Sequence, residues 1–314
     1  MFDILALGEA LIDFSPADKG PMGNPSLEMN PGGAPINCLA ANARLGGSSA
    51  FIGMVGNDFF GKFLEQSMNN IGIDTTGLVY TDSAYTTIDF VYNDSDGDRY
   101  FVFFRNPGAD MLLEAKHLND QVLKATKTFH FGGLSLTDEP ARSATYAALD
   151  RAKELGIKIS FDPNYRDTLW PNPEAAIVQM QKGAEYADII KVGVEEMTML
   201  TGFSETQIEE GAEKLFNMGI PLVFVTAGAK GAYYKTKDEQ GFVSGFTVKT
   251  LDTTGCGDAF FGAILYTLYH KESWSLYEKV RFANATAALC ATKRTGFPAM
   301  PDYKTVETFL SEQT

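Results

Sequence analysis

The sequence predicts an α/β fold, with a doubly wound, mostly parallel sheet flanked by helices. Strand-like apolar runs alternate with longer helix-like segments from residue 128 to residue 225. The runs are apolar throughout, as expected for strands that are buried on both faces of a sheet. Other β-like residues, at 85–105 and 232–249, lie on either side of this alternating region. The sequence therefore predicts one large parallel sheet with smaller β additions.

The first third of the chain is predicted to contain strands of the large sheet and also β elements outside it. Residues 15–31 are rich in Pro and Gly, so we expect a loop there with at most a short strand. Residues 86–92 and 100–104 are β-like and flank an acidic turn, which predicts a hairpin. The other predicted elements are strands at 4–7, 11–14 and 49–55, a helix from Pro35 to the glycines at 46–47, and a helix at 58–71.

The rest of the chain supplies most of the predicted sheet. Glycines at 156 and 219 follow two of the helical segments, where they are suited to end a helix. The predicted elements are strands at 128–131, 158–161, 189–192 and 222–225, helices at 139–155, 173–186 and 208–218, and helices that begin near residues 255, 275 and 302.

Length and composition favour a single globular domain over residues 1–314. We find no internal repeat, low-complexity tract or linker in the 314 residues. An apolar content of 45% with 21% charged residues allows a large core. The net charge of −14 argues against a nucleic-acid backbone or an anionic membrane as the main partner. Local basic and backbone donors could still hold a phosphate on such a protein.

The cysteines and the N-terminus give no sign of secretion. Cys38, Cys256 and Cys290 are odd in number and show no Cys-x-x-Cys spacing, and the three histidines are far apart. Neither a disulfide framework nor a zinc site is indicated. The first residues lack a basic region followed by a long apolar run, and no segment has the length of a membrane span. We expect a cytoplasmic protein with reduced thiols.

Residues 252–258, Asp-Thr-Thr-Gly-Cys-Gly-Asp, precede a segment that is apolar on every side. The two glycines predict a tight turn, and the apolar segment predicts a buried helix. Backbone N–H groups at the start of a helix attract anions. Asp258 would lie in the first helical turn beside that anion site, where a carboxylate could take a proton from an attacking hydroxyl. An aspartate at a helix start can also be only a cap.

Residues 252–258 match the Asp-Thr-Thr-Gly-x-Gly-Asp pattern of the PfkB (ribokinase-like) sugar kinases, and the resemblance spans essentially the whole chain. Neither a Walker P-loop nor a Gly-x-Gly-x-x-Gly fingerprint is present. The other matching segments occur in family order: Gly8 to Asp13, Gly32-Gly33 with Asn37, Glu196, and Thr226-x-Gly228-x-x-Gly231. The resemblance implies a ribokinase-like fold that binds a small-molecule sugar and ATP, with no nucleic-acid or membrane partner.

Within the family the chain most resembles fructokinases. Residues 162–170 are similar to the Asp-x-Asn-x-Arg-x-x-Leu-Trp segment of fructokinases and of 2-keto-3-deoxygluconate kinases, and residues 105–110 are similar to their lid exit. The resemblance implies conversion of D-fructose to fructose 6-phosphate. A 2-keto-3-deoxygluconate kinase or another PfkB sugar kinase is the alternative, with ribokinase disfavoured by residues 162–170. A sugar-binding regulatory protein is the non-enzyme alternative, although such a protein needs no base.

The resemblance also implies the roles of individual residues. Asp258 would be the base, with Gly255, Cys256 and Gly257 as the anion hole. The sugar would be bound by Asp13, Gly32, Gly33, Asn37, Arg105 and Arg166. A surface salt bridge is the alternative for either arginine. The nucleotide side would be formed by Asn164, Lys191, Glu196, Thr226, Gly228, Gly231 and Asn284. For Asn284 a purely structural bridge between helices is an equal alternative.

The resemblance also implies bound cations, and the sequence departs from the family pattern at two positions. Asp252 and Thr254 match positions that help relatives to bind a monovalent cation such as K⁺. Mg²⁺ is expected with ATP, through water and phosphate oxygens, with Glu196 near that water. Gly193 stands where relatives often have Asn, which weakens any metal role there. Cys256 stands where Ala is usual, and we expect nucleotide to shield a thiol at this helix N-terminus.

The predicted β segments at about 15–31 and 85–105 resemble the family's lid. Such a lid would exclude water from the reaction and so limit hydrolysis of ATP. Apolar faces on a lid of this kind could also pair two subunits, which makes a homodimer the expected assembly.

Overall fold

The computed structural model describes residues 1–93 and 99–313. Its strands are β1 (Phe2–Leu7), β2 (Leu11–Ala17), β3 (Ser26–Gly32), β4 (Ser49–Gly56), β5 (Ile73–Thr81), β6 (Ile88–Asn93), β7 (Arg99–Phe104), β8 (Thr126–Gly132), β9 (Lys158–Asp162), β10 (Ile189–Gly193), β11 (Leu222–Thr226), β12 (Gly231–Lys235) and β13 (Gln240–Ser244). Its helices are α1 (Ala34–Leu45), α2 (Phe59–Asn70), α3 (Asp120–Lys124), α4 (Ala141–Glu154), α5 (Pro173–Ala184), α6 (Val194–Thr201), α7 (Ile208–Asn217), α8 (Cys256–His270), α9 (Leu276–Ala291), α10 (Gly296–Ala299) and α11 (Tyr303–Glu312).

The main sheet has nine strands in the order β13-β12-β11-β10-β9-β8-β1-β4-β5. The seven strands from β11 to β5 pair in parallel, whereas at one edge β12 pairs antiparallel with both β11 and β13. β4 and then β5 follow β1 on one side of the sheet, and β8 is the next strand along the chain to join it, on the other side of β1. The direction of winding therefore reverses between β1 and β8, and ligands of such sheets bind beyond the carboxyl ends at that point. The predicted doubly wound α/β fold is confirmed.

A separate apolar core covers each face of the main sheet. Ile4 and Ala6 of β1 point into the core formed with α1, α8 and α9, whereas Leu5 and Leu7 point into the core formed with α4 to α7. Successive side chains of a strand point to opposite faces, so a strand buried on both faces must be apolar at every position. This is why the strands appear in the sequence as continuous apolar runs.

A second sheet, in the order β3-β2-β6-β7, lies outside the main one. Residues 15–31, predicted as a loop with at most a short strand, contain more strand than expected, because β2 continues to Ala17 and β3 pairs antiparallel with it. The prolines are tolerated because β3 is an edge strand and β6 pairs with β2 only at residues 12–14. The predicted hairpin corresponds to β6 and β7. Residues 94–98 of its acidic turn lie outside the described residues.

The prediction also missed β5 and α6. β5 begins with the polar run Asp74-Thr75-Thr76 and lies at the edge of the main sheet, so it lacks the apolar pattern of the central strands. α6 starts directly after β10 with no turn between them, and Gly193 is its N-cap. In the described part of the chain, no helix is both long and apolar enough to cross a membrane.

Candidate active site

The turn before α8 lies beyond the carboxyl ends of the central strands. Gly255 is the N-cap of α8 and has a φ of 77°, a left-handed conformation that favours glycine. A Cβ on Gly255 would lie 2.5 Å from Cα of Gly296. From Asp258 to Thr267 every residue of α8 is buried. The sequence therefore produces a rigid, buried helix whose N-terminus is held in a fixed position.

Asp258 lies in the first turn of α8 and is only 7% exposed. Its carboxylate accepts hydrogen bonds from the side-chain amides of Asn37, at 2.9 Å, and Asn164, at 3.4 Å. Burial, followed by the nearby Asp162 carboxylate, raises the pKa of Asp258 to about 6, although Lys191 acts in the opposite direction. The group can therefore be ionised at neutral pH and still accept a proton readily. Asn164, expected on the nucleotide side, contacts this carboxylate instead.

Lys191 forms a buried ion pair with Asp162 directly beneath α8. Its Nζ lies 2.8 and 3.0 Å from the two carboxylate oxygens. Burial alone would lower the pKa of Lys191, but Asp162 and then Glu196 raise it above its ordinary value. A Cβ on Gly257 would lie 2.9 Å from this ammonium group. The pair thus places a permanent positive charge against the first turn of α8, where an anion would be bound.

The predicted anion hole differs from the structure in one member. The N–H of Cys256 donates to the carbonyl oxygen of Thr253 at 3.2 Å, as part of the turn. The Cys256 N–H is therefore engaged within the protein, and an anion at this helix end would be held by Gly255 and Gly257. The Cys256 side chain lines a neighbouring cavity.

A cavity of about 50 Å³ on one side of Asp258 is lined mainly by polar groups, and we name it the polar cavity. Three buried oxygen atoms at its wall have no hydrogen-bond partner among the described residues: Oε2 of Glu9, Oδ1 of Asn37 and Oδ1 of Asp89. Buried acceptors are normally paired, so these oxygens favour a ligand rich in hydroxyl donors. Its lining comprises Glu9, Leu11, Asp13, Gly33, Ala34, Asn37, Asp89, Phe103, Leu134, Asn164, Arg166, Thr254, Gly255 and Asp258.

The polar cavity is rich in carboxyl groups. Burial raises the pKa of Asp13 to about 8, with a further contribution from Asp89. Burial also raises the pKa of Glu9 and of Asp89 to about 7. Arg166 lowers the pKa of Asp13 and of Asp89, and it is the cation that lines this cavity. Carboxyl groups with pKa values near neutrality can donate or accept hydrogen bonds, which suits the hydroxyl groups of a neutral polyol.

The paired glycines allow the backbone to approach the polar cavity closely. A Cβ on Gly32 would overlap the Asp13 carboxylate, and a Cβ on Gly33 would lie 2.6 Å from the carbonyl oxygen of Glu9. Gly33 also has a φ of 112°. Glu9 fixes this backbone further, because its Oε1 accepts the N–H of Ala34 at 3.0 Å. Gly33 and Asn37 thus line the polar cavity, whereas Gly32 packs behind Asp13.

Arg105 does not lie where it was predicted. It is 8% exposed and does not line the polar cavity. Its Nε donates to Asp110 at 2.7 Å, and its two terminal nitrogens donate to Thr137 and to the carbonyl oxygen of Leu134. Every nitrogen of the guanidinium group is thus engaged within the protein. Arg105 fastens the chain after β7 to the segment after β8, and Arg166 is the arginine at the cavity.

A second cavity, of about 400 Å³, lies on the other side of residues 253–257, and we name it the glycine-lined cavity. Four of the residues predicted on the nucleotide side line it: Thr226, Gly228, Gly231 and Asn284. The rest of its wall is largely apolar and includes Phe246, Val248, Phe260 and Ala287. The amide of Asn284 donates to the carbonyl oxygens of Val243 and Ser244, at 3.0 and 3.3 Å, so its observed contacts follow the structural alternative.

The carboxylates expected near metal ions accept hydrogen bonds mainly from backbone N–H groups. Glu196 accepts the N–H of Gly193 at 2.6 Å and that of Tyr165 at 2.8 Å. Asp252 accepts the N–H of Thr254 at 2.7 Å and that of Thr295 at 3.0 Å. Within residues 1–93 and 99–313, no three Asp, Glu, His or Cys side chains are grouped closely enough to hold a metal ion. This suits a metal bound chiefly by phosphate oxygens and water.

Sequence reasoning gave no role to Glu9, Asp89 or Asp162, all of which are buried at the site. Each carried a usable signal. Asp162 directly follows an apolar strand, Glu9 follows another after one glycine, and Asp89 is the single charged residue in the predicted strand at 86–92. A carboxylate at such a position is costly unless it has a partner or a ligand.

Comparison with known proteins agrees with this geometry. The profile of the pfkB family carbohydrate kinases matches residues 1–302. Probable fructokinase-3 of Arabidopsis thaliana is 41% identical over 317 residues, which cover 99% of this chain and 92% of the relative. The crystal structure of fructokinase with bound ATP from Xylella fastidiosa has a TM-score of 0.88 at 34% identity, covering 100% of this chain and 99% of the other. Fructokinase from Vibrio cholerae O395, in a form with fructose, ADP and calcium ion bound, also has a TM-score of 0.88, at 36% identity and with 98% of both chains covered. This chain belongs to the pfkB family of carbohydrate kinases.

Proposed function

We propose that this protein is a fructokinase, which transfers the terminal phosphate of ATP to D-fructose and releases fructose 6-phosphate and ADP. The observation that carries the proposal is the position of Asp258. This buried carboxylate lies at the end of the polar cavity, and residues 253–257 separate that cavity from the glycine-lined cavity. A base in this position can reach a sugar hydroxyl on one side while phosphate approaches from the other.

In the proposed reaction, Asp258 takes the proton of the hydroxyl as its oxygen attacks the terminal phosphorus of ATP. A new P–O bond forms to the sugar oxygen, and the bond between that phosphorus and the ADP oxygen breaks. Asn37 and Asn164 hold the carboxylate in place, and its raised pKa makes it a competent base. The N-terminus of α8 and the ammonium group of Lys191 offset negative charge on the transferred phosphate.

Fructose is favoured over an acid substrate by the charge of the polar cavity. Glu9, Asp13, Asp89 and Asp258 line it together with one cation, Arg166. The buried carboxylate of 2-keto-3-deoxygluconate would find a single cationic partner there, whereas the hydroxyl groups of fructose can pair with these carboxyl groups in either protonation state. The fructokinase from Vibrio cholerae binds fructose within the same fold, which supports the same choice here.

The glycine-lined cavity is the proposed ATP site, with Thr226, Gly228 and Gly231 along the phosphates and base. Mg²⁺ bound to ATP would offset phosphate charge, with Glu196 contacting it through water rather than directly. The oxygen-only donors around Asp252 and Thr254 suit a hard monovalent cation such as K⁺. The cytoplasmic location stays a prediction.

The second sheet is proposed as a lid within one kinase domain. Asp13 of β2 and Asp89 of β6 are cross-strand neighbours and line the polar cavity, so this sheet supplies part of the sugar site. Phe14 and Phe90 are paired on the next position of the same two strands and stack with ring centroids 5.2 Å apart. Closure of this sheet over the sugar would exclude water. A homodimer formed through the lid also stays a prediction.

The test is ATP-dependent phosphorylation of fructose, ribose, 2-keto-3-deoxygluconate and adenosine, with the Asp258→Asn variant assayed alongside the native protein. We expect turnover on fructose, and a decrease in kcat of about 10²–10⁴-fold in the variant, because the base is lost while the shape is kept. Calorimetric titration with fructose should show that the variant still binds the sugar.

Two results would contradict the proposal. Preferred turnover of another substrate would overturn fructose as the substrate. Fructose binding without turnover by the native protein would favour a regulatory sugar-binding protein instead.

A further inference from the structure

Two of the three cysteines lie together beside the glycine-lined cavity. Cys256 is the first residue of α8, is half-buried, and lines the cavity. Cys290 lies in the last turn of α9 and is fully buried. The third, Cys38, is buried within α1, away from the cavity wall. Cys256 is therefore partly accessible from the cavity, whereas Cys290 is shielded from solvent.

The backbone around residues 251–254 brings the two thiols together. The N–H groups of Leu251 and Asp252 donate to the carbonyl oxygen of Ala291, at 2.8 and 3.3 Å. Sγ of Cys256 lies 4.0 Å from the carbonyl oxygen of Asp252, and Sγ of Cys290 lies 3.8 Å from that of Thr254. Both sulfur atoms therefore lie against the same short turn.

The two thiols also contact each other directly. The hydrogen bond with Cys256 is the main cause, ahead of burial, of the raised pKa of Cys290. A disulfide requires the two cysteines to be near neighbours, and here both sulfur atoms lie against carbonyl groups only two residues apart, those of Asp252 and Thr254. An exposed thiol beside a buried one is also the usual arrangement of an attacking and a resolving cysteine.

We propose that Cys256 and Cys290 form a reversible disulfide that blocks the glycine-lined cavity when the protein meets a peroxide. Cys256 sulfur attacks the peroxide, so that an S–O bond forms, the O–O bond breaks and an alcohol or water leaves. Cys290 sulfur then attacks Cys256 sulfur, so that the S–S bond forms, the S–O bond breaks and water leaves with the thiol proton. Two thiols and one peroxide thus give one disulfide, one alcohol or water, and one further water. A dithiol reverses the change by exchange.

The bond would act on the nucleotide side of the site. It would draw Cys256 toward α9 and change the turn that presents Gly255 and Gly257 to the phosphate. Bound nucleotide, in turn, fills the cavity and keeps the peroxide from Cys256. The loss of kinase activity on oxidation rests on the proposed function, whereas formation of the bond does not.

The test begins with thiol mapping by mass spectrometry, which needs no activity. The native protein is treated with hydrogen peroxide, with and without ADP, and then alkylated in denaturant. We expect the number of alkylated cysteines to fall from three to one, with a linked peptide joining Cys256 to Cys290 and a mass about 2 Da lower before alkylation. ADP should slow the loss, and dithiothreitol should reverse it.

Matched variants separate this proposal from general oxidation. Cys38→Ala should still form the link, whereas Cys290→Ala should stop at a sulfenic acid on Cys256 that dimedone traps. Native protein should lose ADP affinity on oxidation by about tenfold or more, and Cys290→Ala should lose less. Three intact thiols in the native protein after peroxide, or a link that includes Cys38, would overturn the proposal. Unchanged ADP affinity in the linked protein would overturn the blocking of the cavity. A linked protein whose reduced form never phosphorylates a sugar would refute the proposed function and leave the disulfide standing.

Discussion

The polar cavity and the glycine-lined cavity lie on either side of one turn, yet they recognise ligands by different means. The polar cavity, of about 50 Å³, presents side-chain oxygens from elements as distant in sequence as β2, β6 and α8. The glycine-lined cavity, of about 400 Å³, presents mostly backbone and apolar surface from β11 onward. Side-chain recognition rejects a ligand that lacks a single hydroxyl, whereas an apolar and backbone surface discriminates weakly. The sugar side should therefore determine specificity and tolerate little change.

The largest expected effect comes from the turn that the two cavities share. Gly255→Ala places a methyl group within 2.5 Å of Cα of Gly296, at a backbone conformation that only glycine adopts easily. Because Asp258 is three residues further on, we expect kcat to fall by about 10²-fold, as a displacement of about 1 Å at a reacting group can do. Steady-state kinetics would measure this.

Gly228→Ala in the glycine-lined cavity is the matched control. Gly228 also has a positive φ, of 56°, but no atom lies within 4 Å of its Cβ position. We expect a change in the KM for ATP of less than about tenfold, because only backbone strain of about 1–3 kcal/mol is added. If kcat fell equally in the two variants, the backbone at Gly255 would be no less tolerant of an added methyl group than the backbone at Gly228.

A smaller effect should distinguish the two sides by their Michaelis constants. Asp89→Asn replaces one of the unpaired oxygens of the polar cavity by an amide, so we expect the KM for fructose to rise by about tenfold or more with the KM for ATP unchanged. Thr226→Val, in the glycine-lined cavity, should raise only the KM for ATP, by a few fold. If either variant raised the KM for fructose and the KM for ATP by the same factor, the two cavities would not bind separate ligands.

The smallest effect is on stability and arises from the carboxyl groups of the polar cavity. The pKa values of Glu9, Asp13 and Asp89 are raised to between about 7 and about 8, above the values of an unfolded chain. The folded protein therefore holds protons that the unfolded chain releases, and these groups stabilise it below their ordinary pKa values, near pH 4. That stabilisation is lost as the pH rises toward 8.

Thermal unfolding between pH 5 and pH 8 would measure this loss. Glu9→Gln should flatten the fall of Tm across this range, by about 2–4 °C for each kcal/mol removed. Asp120 is an exposed acid whose pKa is lowered by Arg151 and Lys124, so Asp120→Asn should leave the slope unchanged. An identical slope in the native protein and in Glu9→Gln would mean that this cavity does not titrate as described.

The comparison also shows which parts of the molecule a sequence can predict. The parallel sheet was predictable because burial on both faces requires apolar residues at every position of the central strands. β5 was missed because an edge strand can begin with polar residues such as Asp74 and Thr75. β3 was expected as a short strand at most, because Pro31 argues against a strand, yet an edge strand can contain a proline without losing a hydrogen bond within the sheet.

Site residues differ in predictability for a related reason. Asp258, Gly255 and Asn37 lie in short motifs whose spacing fixes their geometry, and the structure brings them together. The contacts of Arg105 depend on Asp110 and on the segment after β8, which local sequence does not place. The partners of Asp258, Asn37 in α1 and Asn164 after β9, are far from it in sequence, and only the topology of the fold brings them to it.

The hydrogen bond from Asn37 to Asp258 joins residues 221 positions apart, and this bears on how the protein is made. Glu9, Asp13 and Asn37 of the polar cavity leave the ribosome early, whereas the base and the anion-binding turn leave late. The packing of α1 is also incomplete until α8 is present, because Gly262 lies so close to Cys38 that a Cβ on Gly262 would overlap the Cys38 carbonyl oxygen. Contacts of such long range form late in folding. A nascent chain therefore completes its core and gains its catalytic group in the same step, so an unfinished chain cannot consume nucleotide.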